Sequence, residues 1–208
     1  MNSGNGMMSA KNMGGVGSLL LVISGILAFG GIDTSGILIG LLVIVGIVLV
    51  LGALESMGTF YGDKKIFRDA LYALIIGIVG TIVFIGTSIV ASNSIAQAAA
   101  PQFITNFSAY NSQLINSMNL MFNLVIVEIF VFATITMIFF RSALGRLSTK
   151  THVRLFGITG WFMIISAILA GILVSPFPIW VGCILLTVAF FSVKKVVPST
   201  PQSSTANP

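Results

Sequence analysis

Apolar residues run almost unbroken through six stretches of this chain, at 13–32, 36–57, 70–90, 120–140, 155–174 and 177–193, with short polar or charged segments between them. Each stretch is close to the ~20 residues that carry a helix across ~30 Å of hydrocarbon. The pattern predicts an all-α, polytopic integral membrane helical bundle with six transmembrane helices over residues 13–193. A mobile N-terminal tail at 1–12 and a disordered tail at 194–208 are expected to flank it.

Charge orients these spans. With both termini inside, all ten Lys and Arg residues fall on one side: Lys11; Lys64, Lys65 and Arg68; Arg141, Arg146, Lys150 and Arg154; Lys194 and Lys195. The three outer connections then carry no cation, which is the loop bias that sets orientation. The expected placement is multi-pass in the cell membrane, with N- and C-termini cytoplasmic. A signal-like feature, Lys11 ahead of an apolar run ending at Ala28-Phe29-Gly30, competes with this reading. Cleavage there would leave an odd number of spans, so retention of the first helix is expected.

Composition agrees with the pattern. Hydrophobic residues make up 56% and charged residues 7%, and mean hydropathy is +1.08, too little polar surface to cover a soluble domain. The pI of about 9.7 could suggest nucleic acid, but the cations are scattered over four helix ends with no clustered patch. Anionic lipid is the better match, at ~1 kcal/mol per surface cation. The expected partners are therefore the lipid bilayer and, through glycine-rich faces, a second copy or another membrane protein, with no nucleic acid.

Three connections have local character. Asp63 is placed to cap the helix that follows the second span. Arg146, Lys150 and Arg154 recur every four residues, which would align them on one face of a helical extension toward headgroups. The outer loop at 91–117 has no charged residue, yet Phe103, Phe107, Tyr110, Leu114 and Met118 follow Pro101 at helical spacing. The fourth span is thus expected to begin early as an amphipathic helix. Asn106-Phe107-Ser108 is an N-glycosylation sequon on that side, a triplet that also arises often by chance.

A shift of 142 residues lays the first hairpin over the last, pairing Gly15 with Gly157, Ser24 with Ser166 and Gly40 with Gly182. Duplication of the parallel kind would explain this, as would chance in a chain so rich in Ile, Leu, Gly and Ala.

Four strings carry a family resemblance: Lys11-Asn12-Met13-Gly14-Gly15-Val16-Gly17, Asp63-Lys64-Lys65-Ile66-Phe67, Phe139-Phe140-Arg141-Ser142 and Val188-Ala189-Phe190-Phe191-Ser192. In their order and spacing the chain resembles the archaeal membrane family called domain of unknown function 996. That resemblance implies a multispanning membrane protein and carries no activity, cofactor or site residue with it.

Candidate chemistry centres on Glu128, near the middle of the fourth span with no basic residue in any span to pair with it. A carboxylate there costs ~2.5 kcal/mol or more, which favours a neutral, hydrogen-bonded group at a helix interface. Ser24, Thr81, Ser166 and Thr187 lie at a similar depth. Facing inward they would join Glu128 in one polar layer, a candidate intramembrane site of the transporter kind. Hydroxyls in membrane helices more often bond their own backbone, and that is the favoured reading for these four.

Glycines at 36 and 40, 25 and 30, 46 and 52, and 77 and 80 are expected to serve close helix packing. Glu55 is expected at the membrane boundary within reach of Lys11 or Lys64, and Asp33 at the outer turn. Cys183, the single cysteine, reads as a packing residue. His152 is the only histidine, and no phosphate-binding loop, metalloprotease motif or catalytic triad set is present, so no catalytic, cofactor or metal site is expected. The function expected is that of an uncharacterised membrane protein with a structural or accessory role. The alternative is a small solute or ion transporter, proton coupled through Glu128 with Ser24, Thr81 and Ser166 in support.

Overall fold

Six helices follow one another in the computed structural model, which describes residues 3–29, 36–99, 107–173 and 177–194. They are α1 (Ser3–Phe29), α2 (Gly36–Phe60), α3 (Lys64–Ala99), α4 (Phe107–Thr151), α5 (Arg154–Leu173) and α6 (Phe177–Phe191). Among the described residues each helix packs on its neighbours in sequence and α6 returns to α1, so the six form a ring. The α2–α3 seam is its lightest contact. The segments Gly6–Phe29, Gly36–Phe60, Lys64–Val90 and Phe122–Thr151 are long and apolar enough to cross a membrane, while α5 and α6 offer shorter apolar segments. At 1.5 Å per residue the 15 residues of α6 extend only ~22 Å. Exposure fits lipid: Ile37, Val48 and Ile82 are 77%, 61% and 63% exposed, amid dozens of other outward aliphatic and aromatic side chains.

Several boundaries differ from the sequence reading. Residues 3–12 are not a mobile tail but the first turns of α1, with Met7 and Ala10 buried in the core. In the outer segment 91–117 α3 runs on to Ala99, past its expected end, whereas the early start expected for the fourth span is met, with α4 continuous from Phe107. At 36 and 45 residues, roughly 54 and 68 Å, these two helices outreach the hydrocarbon. Hydropathy alone marks where a helix leaves lipid, not where it stops. The other end of α4 also passes residue 140 and stops only at Thr151.

Two tight turns set the geometry at the cation-bearing end. After α2, Gly62 takes φ +67°, a conformation that a side chain disfavours, while Asp63 N–H donates to Gly58 O at 2.8 Å. The Asp63 carboxylate then accepts from Lys65 N–H at 3.1 Å and caps α3. After α4, His152 takes φ 56°, Ser148 Oγ donates to Val153 O at 3.0 Å, and Thr151 Oγ1 accepts from Val153 N–H at 3.3 Å. This turn breaks the expected cationic face. Arg146 and Lys150 close α4, whereas Arg154 opens α5.

The buried core lies at the same end. Leu54 and Met57 of α2, Ile66 of α3, Leu144 and Leu147 of α4, Phe156 of α5 and Phe190 of α6 are fully buried there, with the two phenyl rings edge to face at 5.2 Å. Lys11 Nζ donates to Val193 O at 2.8 Å, joining α1 to the end of α6. Glu55 is exposed and forms no ion pair with Lys11 or Lys64.

Glycine contacts are selective. A Cβ on Gly80 would stand 2.7 Å from Phe132, one on Gly52 2.9 Å from Met13, and one on Gly25 would collide with Trp180. Gly36 and Gly40 have no atom within 4 Å of where a Cβ would be, so among the described residues this pair packs against no other helix.

Candidate functional site

At the seam between α3 and α4 a carboxyl oxygen is buried within an apolar helix. Glu128, Phe132 and Thr136 recur every four residues and so share one stripe of α4. They meet Gly77, Gly80, Thr81 and Phe84 of α3 around a cleft of about 350 Å³. Gly80 lets the Phe132 ring close against the α3 backbone. At Gly77 the approach is looser, and a Cβ there would meet the Thr136 side chain at an ordinary contact distance of 3.8 Å.

Two polar atoms of this cleft's residues are left over. Glu128 Oε1 and Thr136 Oγ1 are buried with no hydrogen-bond partner among the described residues, as is Thr134 Oγ1 nearby on the same helix. An unmade bond of this kind costs ~1–3 kcal/mol, so each such atom calls for an explanation. Thr81 is already committed, donating to Gly77 O of its own helix at 2.9 Å.

Behind the cleft lies a second cavity of about 500 Å³ along the ring interior. All six helices line it, among them Leu21 of α1, Val50 of α2, Ala73 of α3, Met137 of α4, Met163 of α5 and Cys183 of α6. Gly77, Thr81 and Thr136 line both spaces and form their common wall.

Of the residues expected to form a polar layer, the structure brings together Glu128 and Thr81. Ser24 Oγ donates to Leu21 O at 2.8 Å and Thr187 Oγ1 to Cys183 O at 2.9 Å, both within their own helices, while Ser166 Oγ bridges α5 to α6 through Pro178 O at 3.0 Å. Neither Ser24 nor Ser166 borders the two cavities. Similar depth did not mean a shared azimuth: each of these hydroxyls found a carbonyl on its own side of the ring. Glu128 stands ~20 Å along α4 from Arg141, about 5 Å past the middle of ~30 Å of hydrocarbon. Asn106 and Asp33 lie outside the described residues.

Sequence reasoning missed Asp69. It accepts from Ser142 Oγ at 2.7 Å and from Arg146 Nε at 3.2 Å, with only 10% of its side chain exposed. Arg68 approaches it at 3.9 Å. Its place between Ile66 and Ala70 on the buried face of α3 was the available signal, obscured by the neighbouring cations. Trp180 and Arg141 were missed as well. The indole N–H of Trp180 donates to Val22 O at 2.8 Å, and the Arg141 guanidinium lies 3.7 Å from the centre of the Trp161 ring.

Among known proteins, the model of a family described as protein of unknown function (DUF996) matches residues 42–191. No curated protein and no solved structure matches the chain.

Proposed function

The chain belongs to that family, DUF996, and from this membership and the geometry above we propose a multi-pass protein of the cell membrane with a structural or accessory role and no enzymatic activity. The loop cations orient it with the Lys- and Arg-bearing end and both termini in the cytoplasm. The observation that carries the role is the use made of the interior hydroxyls. Ser24, Thr81 and Thr187 donate to carbonyls of their own helices and Ser166 to an adjacent one, while the central cavity is lined almost wholly by apolar side chains. A charge crossing such an interior would lose its hydration without finding replacement ligands. The site suits packing and the holding of apolar matter better than conduction.

A second reading, proton-coupled transport of a small solute, is favoured by one observation. Glu128 Oε1 is buried without a partner beside the cleft that Thr81 also lines.

Infrared difference spectroscopy of the reconstituted protein separates the two, with Glu128→Gln assigning the carboxyl band. The accessory role expects a band unchanged between about pH 5 and 8. A Glu128 band that appears and disappears within that range overturns it in favour of transport.

A further inference from the structure

A carboxyl oxygen without a partner and two aromatic rings share the α3–α4 cleft. Gly77 meets Thr136 and Gly80 meets Phe132, so the two helices run antiparallel in a fixed register. One turn further along each helix Phe84 comes opposite Glu128, while Phe132 lies one turn from Glu128 on its own helix. All three line the cleft, which is about 350 Å³ in volume. Glu128 Oε1 meets no hydrogen-bond donor among the described residues, and the Thr81 hydroxyl is committed to Gly77 O. A carboxylate and the faces of two phenyl rings are all negative, so they make one region of negative potential with no donor inside it. We propose that this cleft binds a weakly hydrated organic cation of the quaternary ammonium class, with Glu128 as its counter-charge and the Phe84 and Phe132 rings around its alkyl groups.

Chemistry selects this class among cations. A metal ion asks for several ligands, and among the described residues no three acidic, His or Cys side chains gather. A primary ammonium holds its water tightly and carries three donors, more than one carboxyl oxygen satisfies. A quaternary ammonium has no N–H to satisfy, and aromatic faces recognise it directly. An anionic head would meet the carboxyl with no cation in the lining. The volume, near the lower end of the roughly 300–1,000 Å³ of ligand sites, suits a compact head. Pairing requires the carboxylate, so a proton held on Glu128 passes to water as the cation enters. No other titratable residue lines the cleft from α3 or from α4.

Access is lateral. Phe84 and Ile129 line the cleft and are 37% and 38% exposed, so it opens sideways toward lipid. A cation with an apolar body reaches it from within the bilayer. The site concerns binding alone; it goes beyond the accessory role and requires no conduction. It rests on the membrane reading, because hydrocarbon around α3 and α4 keeps water from the cleft.

The test uses the full chain in maltoside micelles, which carry no quaternary ammonium of their own. Binding of radiolabelled benzyltrimethylammonium is measured by equilibrium dialysis, with empty micelles as the blank. Saturable binding above the blank is expected, displaced by excess tetraethylammonium and not by the same excess of ethylammonium. Glu128→Gln, which keeps the shape and removes the charge, should weaken binding at least about thirtyfold. Phe84→Leu should weaken it about fivefold, and Phe84→Tyr should leave it within about twofold. The two competitors on the unmodified chain and the Phe84 pair keep the readout independent should Glu128→Gln misfold.

Binding no greater than the blank overturns the proposal, as does binding unchanged in Glu128→Gln or displaced equally by ethylammonium. Extraction reports the membrane reading separately. A chain recovered from cells without detergent defeats both, and a chain that needs detergent yet binds no cation defeats the cation site alone.

Discussion

Gly17 and Gly46 face each other across the α1–α2 seam so closely that a Cβ on Gly17 would stand 2.7 Å from Gly46 O, and a Cβ on Gly46 2.8 Å from Gly17 O. Lipid tails are as apolar as the helices, so association rests on such backbone approach rather than on the hydrophobic effect. Because the obstruction is main chain, no rotamer change relieves it. Gly17→Ala and Gly46→Ala are each expected to destabilise the bundle by about 1–3 kcal/mol, and Gly36→Ala to change it by less than about 0.5 kcal/mol. Reversible unfolding in mixed micelles checks the contrast. Equal effects at all three positions would remove the α1–α2 seam as a determinant of stability.

Asp69 holds α3 to α4 at the cation-bearing end through Ser142 and Arg146. Removing the carboxylate would leave Ser142 without that acceptor and Arg146 without its counter-charge. Arg146 is 39% exposed, so water recovers part of its loss. Asp69→Ala should cost about 1–3 kcal/mol and Arg146→Met less, with a coupling of about 1 kcal/mol in a double-mutant cycle. Additive effects would mean that the ion pair contributes nothing.

The two turns at this end make opposite predictions. Gly62→Ala forces a side chain into the left-handed region and should destabilise by about 1 kcal/mol. His152→Gly relieves the same strain at φ 56° and should be neutral or stabilising by up to about 1 kcal/mol, once the added freedom of the unfolded chain is counted. Thermal unfolding of both variants measures this, and a stabilising Gly62→Ala would contradict the turn geometry.

Orientation has a direct assay. In a Cys183→Ser background, cysteines introduced at the exposed positions Lys65 and Lys150 should react with an impermeant maleimide only after the cell membrane is opened. Cysteines at exposed Asn93 and Asn116 should react in intact cells. The reverse pattern would invert the proposed topology.

The sequence by itself determined the six helices, their order and their apolar outward faces, because the thickness of a bilayer prescribes the length and hydropathy of whatever crosses it. It also determined that Glu128 enters apolar surroundings and that Asp63 caps α3, both consequences of local residue type. Tertiary structure alone decided that α3 runs on to Ala99 and α4 to Thr151, since a helix leaving lipid remains a helix while its backbone bonds are made. It also decided which glycines touch a neighbour: Gly17 and Gly46 do, whereas Gly36 and Gly40, the more regular motif, do not. Sequence spacing gives depth along a helix, but the direction a side chain faces within a ring of six comes from packing. Thr81 and Thr136 therefore joined Glu128 at the α3–α4 seam while Ser24 and Ser166 turned elsewhere, and Asp69, placed among cations in the sequence, became the buried link between two helices.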